Sequence, residues 1–258
     1  MLLELRKAGI RFGGLRAVQD LDLALPEGSL HGLIGPNGAG KTTVFNLVTG
    51  IYLPTEGDIL LDGRSIVGLG ATRVAASGIG RTFQNIRLFH GLTVLENVKV
   101  AMHRHLRASL IESVLRTPRY WRDERDADEA ARKLLDTFGL AAAADLPADA
   151  LAYGLRRRLE IARALATRPR LLLLDEPAAG MNPSEADELM HLIRWVRETF
   201  AVTILLIEHH MPVVMGICER ITVLDHGARI AEGTPDDIRK DPVVIEAYLG
   251  ADVAAESA

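Results

Sequence analysis

Gly35-Pro36-Asn37-Gly38-Ala39-Gly40-Lys41-Thr42, followed by Thr43, sets three glycines, a lysine and two hydroxyls at the spacing G-x-x-x-x-G-K-[ST]. Glycines let successive backbone N–H groups turn towards one anionic centre, and a helix beginning at the lysine adds the partial positive charge of its N-terminus. Lys41 then supplies a full charge for the β- and γ-phosphates of a nucleoside triphosphate, and the Thr42 hydroxyl can ligate Mg²⁺. A glycine-rich turn before an ordinary helix is the bland alternative. The lysine and both flanking elements speak against it.

Arg170-Leu171-Leu172-Leu173-Leu174-Asp175-Glu176-Pro177 holds the second group of reactive residues. Its apolar run reads as a parallel strand buried on both faces, with two carboxylates at the C-terminal end, where open α/β sheets place their ligands. Asp175 is suited to holding Mg²⁺ through the hydration shell, and Glu176 to polarising an attacking water. Two acidic residues closing a strand before a proline turn would look the same in isolation; beside a complete phosphate loop that reading weakens.

Elements must position these groups. Ser29 to Ile34 reads as a short strand feeding the loop, and Lys41 to Val48 as the helix leaving it. Upstream, Leu2 to Phe12 and Leu21 to Leu25 read as strands, and Gly57 to Leu61 with Asp62-Gly63 as a hairpin arm. From Thr93 to about Phe138 the pattern is helical: Val94, Leu95, Val98 and Met102 share a face, and Arg122 to Lys133 form a charged, solvated one. Leu151 to Leu155 is a turn with a glycine ahead of a helix carrying arginines on one side and Leu159, Ala162 and Leu165 on another. Its N-terminus could face an anion. From there on, helix and strand signals alternate as in a doubly wound sheet.

At Leu151-Ala152-Tyr153-Gly154-Leu155 the chain resembles the ATP-binding subunits of ABC transporters, whose signature is usually Leu-Ser-Gly-Gly-Gln before such a helix. Ala152 replaces the serine, Tyr153 the first glycine and Leu155 the glutamine. Ala-Tyr-Gly here looks like the branch serving branched-chain amino-acid uptake, although that branch keeps the glutamine. The resemblance covers nearly the whole chain, from the stretch Arg104 to Trp121, similar to an insertion of that branch, to the tail Asp241–Gly250.

The resemblance implies an α/β fold: a P-loop NTPase (RecA-like) core with an antiparallel β-subdomain and an α-helical signature subdomain. One domain would span 1–258, with the β-subdomain and phosphate loop in 1–85, the helical subdomain in 86–165 and the remaining core and tail in 166–258. It implies ATP and Mg²⁺ as ligands. Gln84 would be the loop glutamine reaching the metal, His209 the switch histidine sensing the γ-phosphate, and Phe12, with Val18 beside it, the aromatic stacking on adenine. Ala152, Tyr153 and Gly154 would bind the nucleotide held by a partner chain, and Ala178 to Asn182 would cross the dimer interface. An aromatic at a strand end is more often core, and His210 reads as a surface residue. His209 and His210 make a poor metal pair, because adjacent side chains diverge.

The implied partners are two transmembrane permease subunits, a second ATPase subunit (the same or a paralogous chain) and, indirectly, a solute-binding protein. The implied place is the cytoplasmic face of the inner membrane, peripherally. Rival readings are an ABC ATPase outside transport, a nucleotide-gated scaffold that barely hydrolyses ATP and, last, a P-loop kinase of small molecules.

Composition sets the outer limits. The chain has 258 residues, 48% hydrophobic and 25% charged, enough for a buried core and unlike a disordered segment. A net charge of −4 offers no basic footprint for nucleic acid. The lone Cys218 reads as a small hydrophobe. No run approaches the roughly 20 apolar residues of a membrane-spanning helix. The start Met1-Leu2-Leu3-Glu4-Leu5-Arg6 lacks the pattern of a signal peptide. A membrane role is therefore expected to come through partners.

Overall fold

The computed structural model describes residues 1–103 and 117–255, and the side chains up to Tyr248. They divide into two units, Met1–Gln84 with Arg170–Ala258, and Asn85–Pro169. The expected insertion at Arg104 to Trp121 falls for the most part on residues 104–116, outside the described residues.

In the first unit, buried Leu3 and Leu5 alternate with polar neighbours in β1 (Leu3–Phe12), the period-two pattern of a strand with one face covered. Strand β1 pairs antiparallel with β2 (Leu15–Leu25). Strand β2 starts six residues before the expected Leu21, because Leu15 and Arg16 pair with Phe12 and Arg11 through their backbones while their side chains face solvent. Hydrophobic periodicity carries no record of such pairing. Strands β4 (Glu56–Leu61) and β5 (Arg64–Ser65) complete a four-stranded antiparallel sheet in the order β2-β1-β4-β5.

The second sheet follows the other rule. Strands β3 (Leu30–Ile34), β7 (Leu171–Asp175) and β8 (Thr203–Ile207) are buried at every residue. That is the signature of parallel strands covered on both faces. With β6 (Ile79–Arg81), β9 (Arg220–Asp225) and β10 (Ala228–Gly233) they form the order β10-β9-β3-β8-β7-β6, parallel except at β10. Helix α1 (Lys41–Val48) buries Val44, Phe45, Leu47 and Val48 in a core shared with both sheets. After α2 (Ala71–Ala76) the chain enters β6, so the C-terminal ends of β6, β7, β8 and β3 lie side by side.

In the second unit, α3 (Val94–Met102), α4 (Pro118–Thr137) and α5 (Tyr153–Ala166) pack on one another. Capping oxygens start the first two: Thr93 forms a full capping box with Glu96, and Thr117 caps ahead of Pro118. The arginine side of α5 is not wholly solvated. Arg157 is buried and bonds Glu160, equally buried, at 2.7 Å. The first unit ends in α6 (Pro183–Phe200), α7 (Met211–Ile217), α8 (Pro235–Lys240) and α9 (Pro242–Ala255). Among the described residues no helix is long and apolar enough to cross a membrane.

Candidate functional site

The loop from Gly35 to Gly40 joins β3 to α1. Gly35 has φ 149°, and a Cβ there would stand 2.0 Å from the Leu224 carbonyl oxygen of β9, so only glycine fits. Gly40 is the N-cap of α1 at φ 101°, and no side chain caps the helix. The first N–H groups of α1 are thus left for an external acceptor. Lys41 is buried, its Nζ donating to the Gly35 oxygen at 2.6 Å and the Pro36 oxygen at 2.8 Å. Burial holds its pKa below the ordinary lysine value, opposed by the nearby Glu176 and Asp175 carboxylates. The ammonium therefore fills the centre of the loop, and phosphate oxygens could take over from the two carbonyls as its acceptors. Thr42 is exposed at the start of α1, Thr43 half-buried beside it, and Ala39 buried beneath the loop. Pro36 and Asn37 lie on its outer side, half-buried and exposed.

Strand β7 delivers Asp175 and Glu176. Glu176 sits at φ 45°, a left-handed conformation that a non-glycine residue holds at a cost on the order of 1 kcal/mol or more. Its N–H donates to the Ile207 oxygen at 2.9 Å, the last link to β8, and the chain then turns at Pro177. This turn aims the carboxylate at two other loops. Gln84 Nε2 donates to Glu176 Oε2 at 2.7 Å, and His209 Nδ1 stands 3.5 Å from the same oxygen. Gln84, expected to reach the metal, and His209, expected to sense the γ-phosphate, thus meet at one oxygen of Glu176.

Asp175 is differently placed. It is buried, and its Oδ2 accepts from an Arg81 terminal nitrogen at 2.8 Å. Arg81 also donates to Asn46 Oδ1 at 2.7 Å and lies over the rings of Phe45 and Phe83. Its Nε is buried without a hydrogen-bond partner among the described residues. No group of three or more His, Cys, Asp or Glu side chains poised for a metal occurs among them either. One carboxylate, a threonine hydroxyl and a glutamine amide suit Mg²⁺, which takes few protein ligands and fills its shell with water and phosphate oxygens.

Phe12 is 44% exposed and meets Tyr52 edge to face, with ring centroids 5.2 Å apart. The pair offers an open aromatic surface. Val18 is corrected. It is fully buried in the core, with its Cγ2 3.5 Å from where a Gly40 Cβ would lie, so it supports the phosphate loop rather than touching a base.

In the second unit the glycine of Ala152-Tyr153-Gly154 does not precede its helix. Ala152 is the N-cap, and Gly154 lies in the first turn of α5. Tyr153 and Leu155 are both partly exposed, and no side chain caps the helix. Nothing approaches within 4 Å of a Cβ built on Gly154.

Three residues with visible roles were not singled out from the sequence. Arg81 stood inside Gly80-Arg81-Thr82-Phe83-Gln84-Asn85 with no partner to suggest. Glu208, directly before His209, is fully buried. Tyr248, in α9, has its hydroxyl buried close to the Gly35 backbone but outside hydrogen-bond geometry, and burial pushes its pKa up to about 12. Charge at a strand end, for Arg81 and Glu208, and aromaticity in a helix, for Tyr248, are the only signals the sequence offers.

The profile of the ABC transporter family matches residues 18–179, and that of the branched-chain amino acid ATP-binding cassette transporter matches residues 228–254. The high-affinity branched-chain amino acid transport ATP-binding protein BraF of Pseudomonas aeruginosa is 51% identical over 96% of this chain and 98% of its own length. LivG of Escherichia coli, described in the same words, is 49% identical over the same shares. Among solved structures, the ADP conformation of MJ1267, an ATP-binding cassette of an ABC transporter, superposes with TM-score 0.82 at 29% identity, covering 96% of this chain and 98% of that one. The post-hydrolysis dimer of the cassette MJ0796 with ADP and Pi gives 0.75 at 25% identity, covering 90% and 98%.

Proposed function

Because the chain belongs to the ABC transporter ATP-binding family, we propose that it is the ATP-hydrolysing subunit of an importer for branched-chain amino acids or a related small amide or amino-acid solute. The solute rests on the names of BraF and LivG and on the C-terminal match, since nothing in the chain itself would touch it. ATP hydrolysis that powers transport is the activity of the family.

Each residue has a part in the proposed cycle. The Gly35–Thr43 backbone and the α1 N-terminus hold the phosphates, and Lys41 exchanges its two carbonyl acceptors for phosphate oxygens. Phe12 and Tyr52 face the base. Glu176 orients and polarises the attacking water, while His209 steadies the transferring group. Thr42, Gln84 and Asp175 would hold Mg²⁺, which when bound neutralises charge on the β- and γ-oxygens. Two copies, or this chain and a paralogue, would close on two nucleotides, each also held by the partner's Ala152, Tyr153 and Gly154. The MJ0796 dimer supports that arrangement by likeness.

Closure and release would drive two permease subunits fed by a solute-binding protein. The helical unit and Gln84 would be the coupling surface on the cytoplasmic side. Peripheral attachment there agrees with the lack of a long apolar helix among the described residues.

The convergence of Gln84 and His209 on Glu176 Oε2 carries this reading. Glu176→Gln tests it. Turnover should fall at least about 100-fold with ATP affinity retained, as expected when a group acting chiefly in the transition state is removed. Unchanged turnover would refute the catalytic assignment.

A further inference from the structure

Glu208 has no part in the chemistry above, yet it is one of the most completely enclosed charged groups in the protein. It follows β8, is 0% exposed, and bonds only backbone in the contacts observed. Its Oε1 accepts from the Ala178 N–H at 2.7 Å. Its Oε2 accepts from the His209 and His210 N–H groups at 2.9 and 3.0 Å. The carboxylate therefore bridges two loops. One is the turn after Glu176, running from Ala178 to Asn182, where Asn182 caps α6 in a capping box with Glu185. The other carries His209, whose ring faces Glu176.

We propose that Glu208 is a positioning residue: it holds the His209 backbone so that the ring meets Glu176, and it passes displacement of the Ala178–Asn182 segment on to that ring. The inference rests on the catalytic reading of Glu176 and His209 and deepens it. Three N–H donors converge on one buried carboxylate, and hydrogen bonds to a charged acceptor are roughly twice as strong as neutral ones. Burying a carboxylate costs free energy that such bonds must offset, so a displacement that stretches one of them strains both loops together. If Ala178 to Asn182 lies at the boundary with a partner chain, arrival of that chain would be felt at His209 through this one side chain.

The geometry makes Glu208→Gln a sharp test. Both oxygens face N–H donors, so a glutamine must turn its NH₂ towards one of them. One orientation loses Ala178; the other loses His209 and His210. Either way the bridge opens with little change in volume. In steady-state ATP hydrolysis by the full chain with its membrane partners, kcat should drop at least about tenfold, while KM for ATP stays within about threefold. His209→Ala should lower kcat as well, and adding Glu208→Gln to it should cost less than a further twofold, because the two act through one ring.

Glu208→Asp keeps the charge but is one methylene too short to span the loops, and it should behave like Glu208→Gln. It provides a second reading should the glutamine variant fold poorly. The proposal is overturned if either folded variant keeps more than half of wild-type kcat, if KM rises in step with the fall in kcat, or if the losses of Glu208→Gln and His209→Ala multiply. Glu176→Gln, run in parallel, separates the two levels. If it abolishes turnover while Glu208→Gln does not lower it, the inference alone fails. If Glu176→Gln keeps wild-type turnover, the catalytic reading fails and takes this inference with it.

Discussion

Removing the Arg81 charge should unfold the protein far more readily than removing an ordinary side chain would. Arg81 and Asp175 lie 2.8 Å apart with side chains 8% and 6% exposed. At that separation and an effective dielectric near 20, their gross attraction is about 6 kcal/mol, most of which is offset by the desolvation of both groups. Arg81→Met takes away the attraction but leaves Asp175 buried. Methionine still reaches between the Phe45 and Phe83 rings, so lost packing contributes little. The expected cost is about 3–5 kcal/mol. For a chain of this size that is a drop of roughly 6–20 °C in the midpoint of thermal unfolding, read by circular dichroism. Arg81→Met with Asp175→Asn should recover at least half of the loss, because no uncompensated charge is left. The reasoning is refuted if Arg81→Met costs less than about 1 kcal/mol, or if the double variant is no more stable than the single one.

Gly35→Ala should abolish nucleotide binding and lower stability by at least about 3 kcal/mol, since it combines a disfavoured φ with a Cβ 2.0 Å from the Leu224 oxygen; fluorescent-nucleotide titration and thermal unfolding would reveal a milder effect. Gly154→Ala should do the opposite to the isolated chain, leaving it as stable or up to about 1 kcal/mol more so, because its Cβ meets nothing and alanine favours helix. ATP-dependent dimerisation of that variant should nonetheless be weakened, and full dimerisation on a sizing column would argue against close approach of a partner's nucleotide. His31 supplies a pH test. Burial lowers its pKa from 6.5 to about 4, so it folds neutral and favours the folded state fully above pH 6.5. That contribution, about 3 kcal/mol, is lost as pH falls through 4. His31→Gln, which can still meet Thr222 Oγ1, should show a flatter denaturant midpoint between pH 6.5 and 4 than wild type; equal slopes would exclude His31 as the cause.

The parts of the site legible in the sequence are those where one residue type does one physical job. Lys41 at the head of α1 and the Leu171–Asp175 run could be placed because glycine turns, helix starts and doubly buried strands leave local marks. The early start of strand β2 is not legible, because backbone pairing at Leu15 and Arg16 needs no apolar side chain. The burial of Val18 is not legible locally, because only the register across the hairpin shows that it opposes the buried Ile10. Gly154 reads as a turn in the sequence, but a glycine of ordinary φ costs a first helical turn little, and the boundary falls at Ala152. Arg81 and Glu208 were illegible for a stronger reason. Their partners lie 94 residues away at Asp175 and 30 residues away at Ala178, so the pairing exists only after the sheet has formed.

The division between strands and loops also bears on how the site could be switched. Asp175 and the phosphate loop are fixed by strands whose every residue is buried, and moving them would disrupt the core. Gln84, Glu176 and His209 follow the ends of β6, β7 and β8 and meet through one carboxylate oxygen. A hydrogen bond to a charged acceptor contributes about 1.5–3 kcal/mol, so breaking the Gln84 contact alone shifts a two-state equilibrium by roughly 10- to 150-fold. Gln84 ends the first segment of its unit, Asn85 begins the helical one, and the chain returns to the first unit at Arg170. Opening and closing that one contact is the smallest rearrangement that would release the Glu176 carboxylate from Gln84.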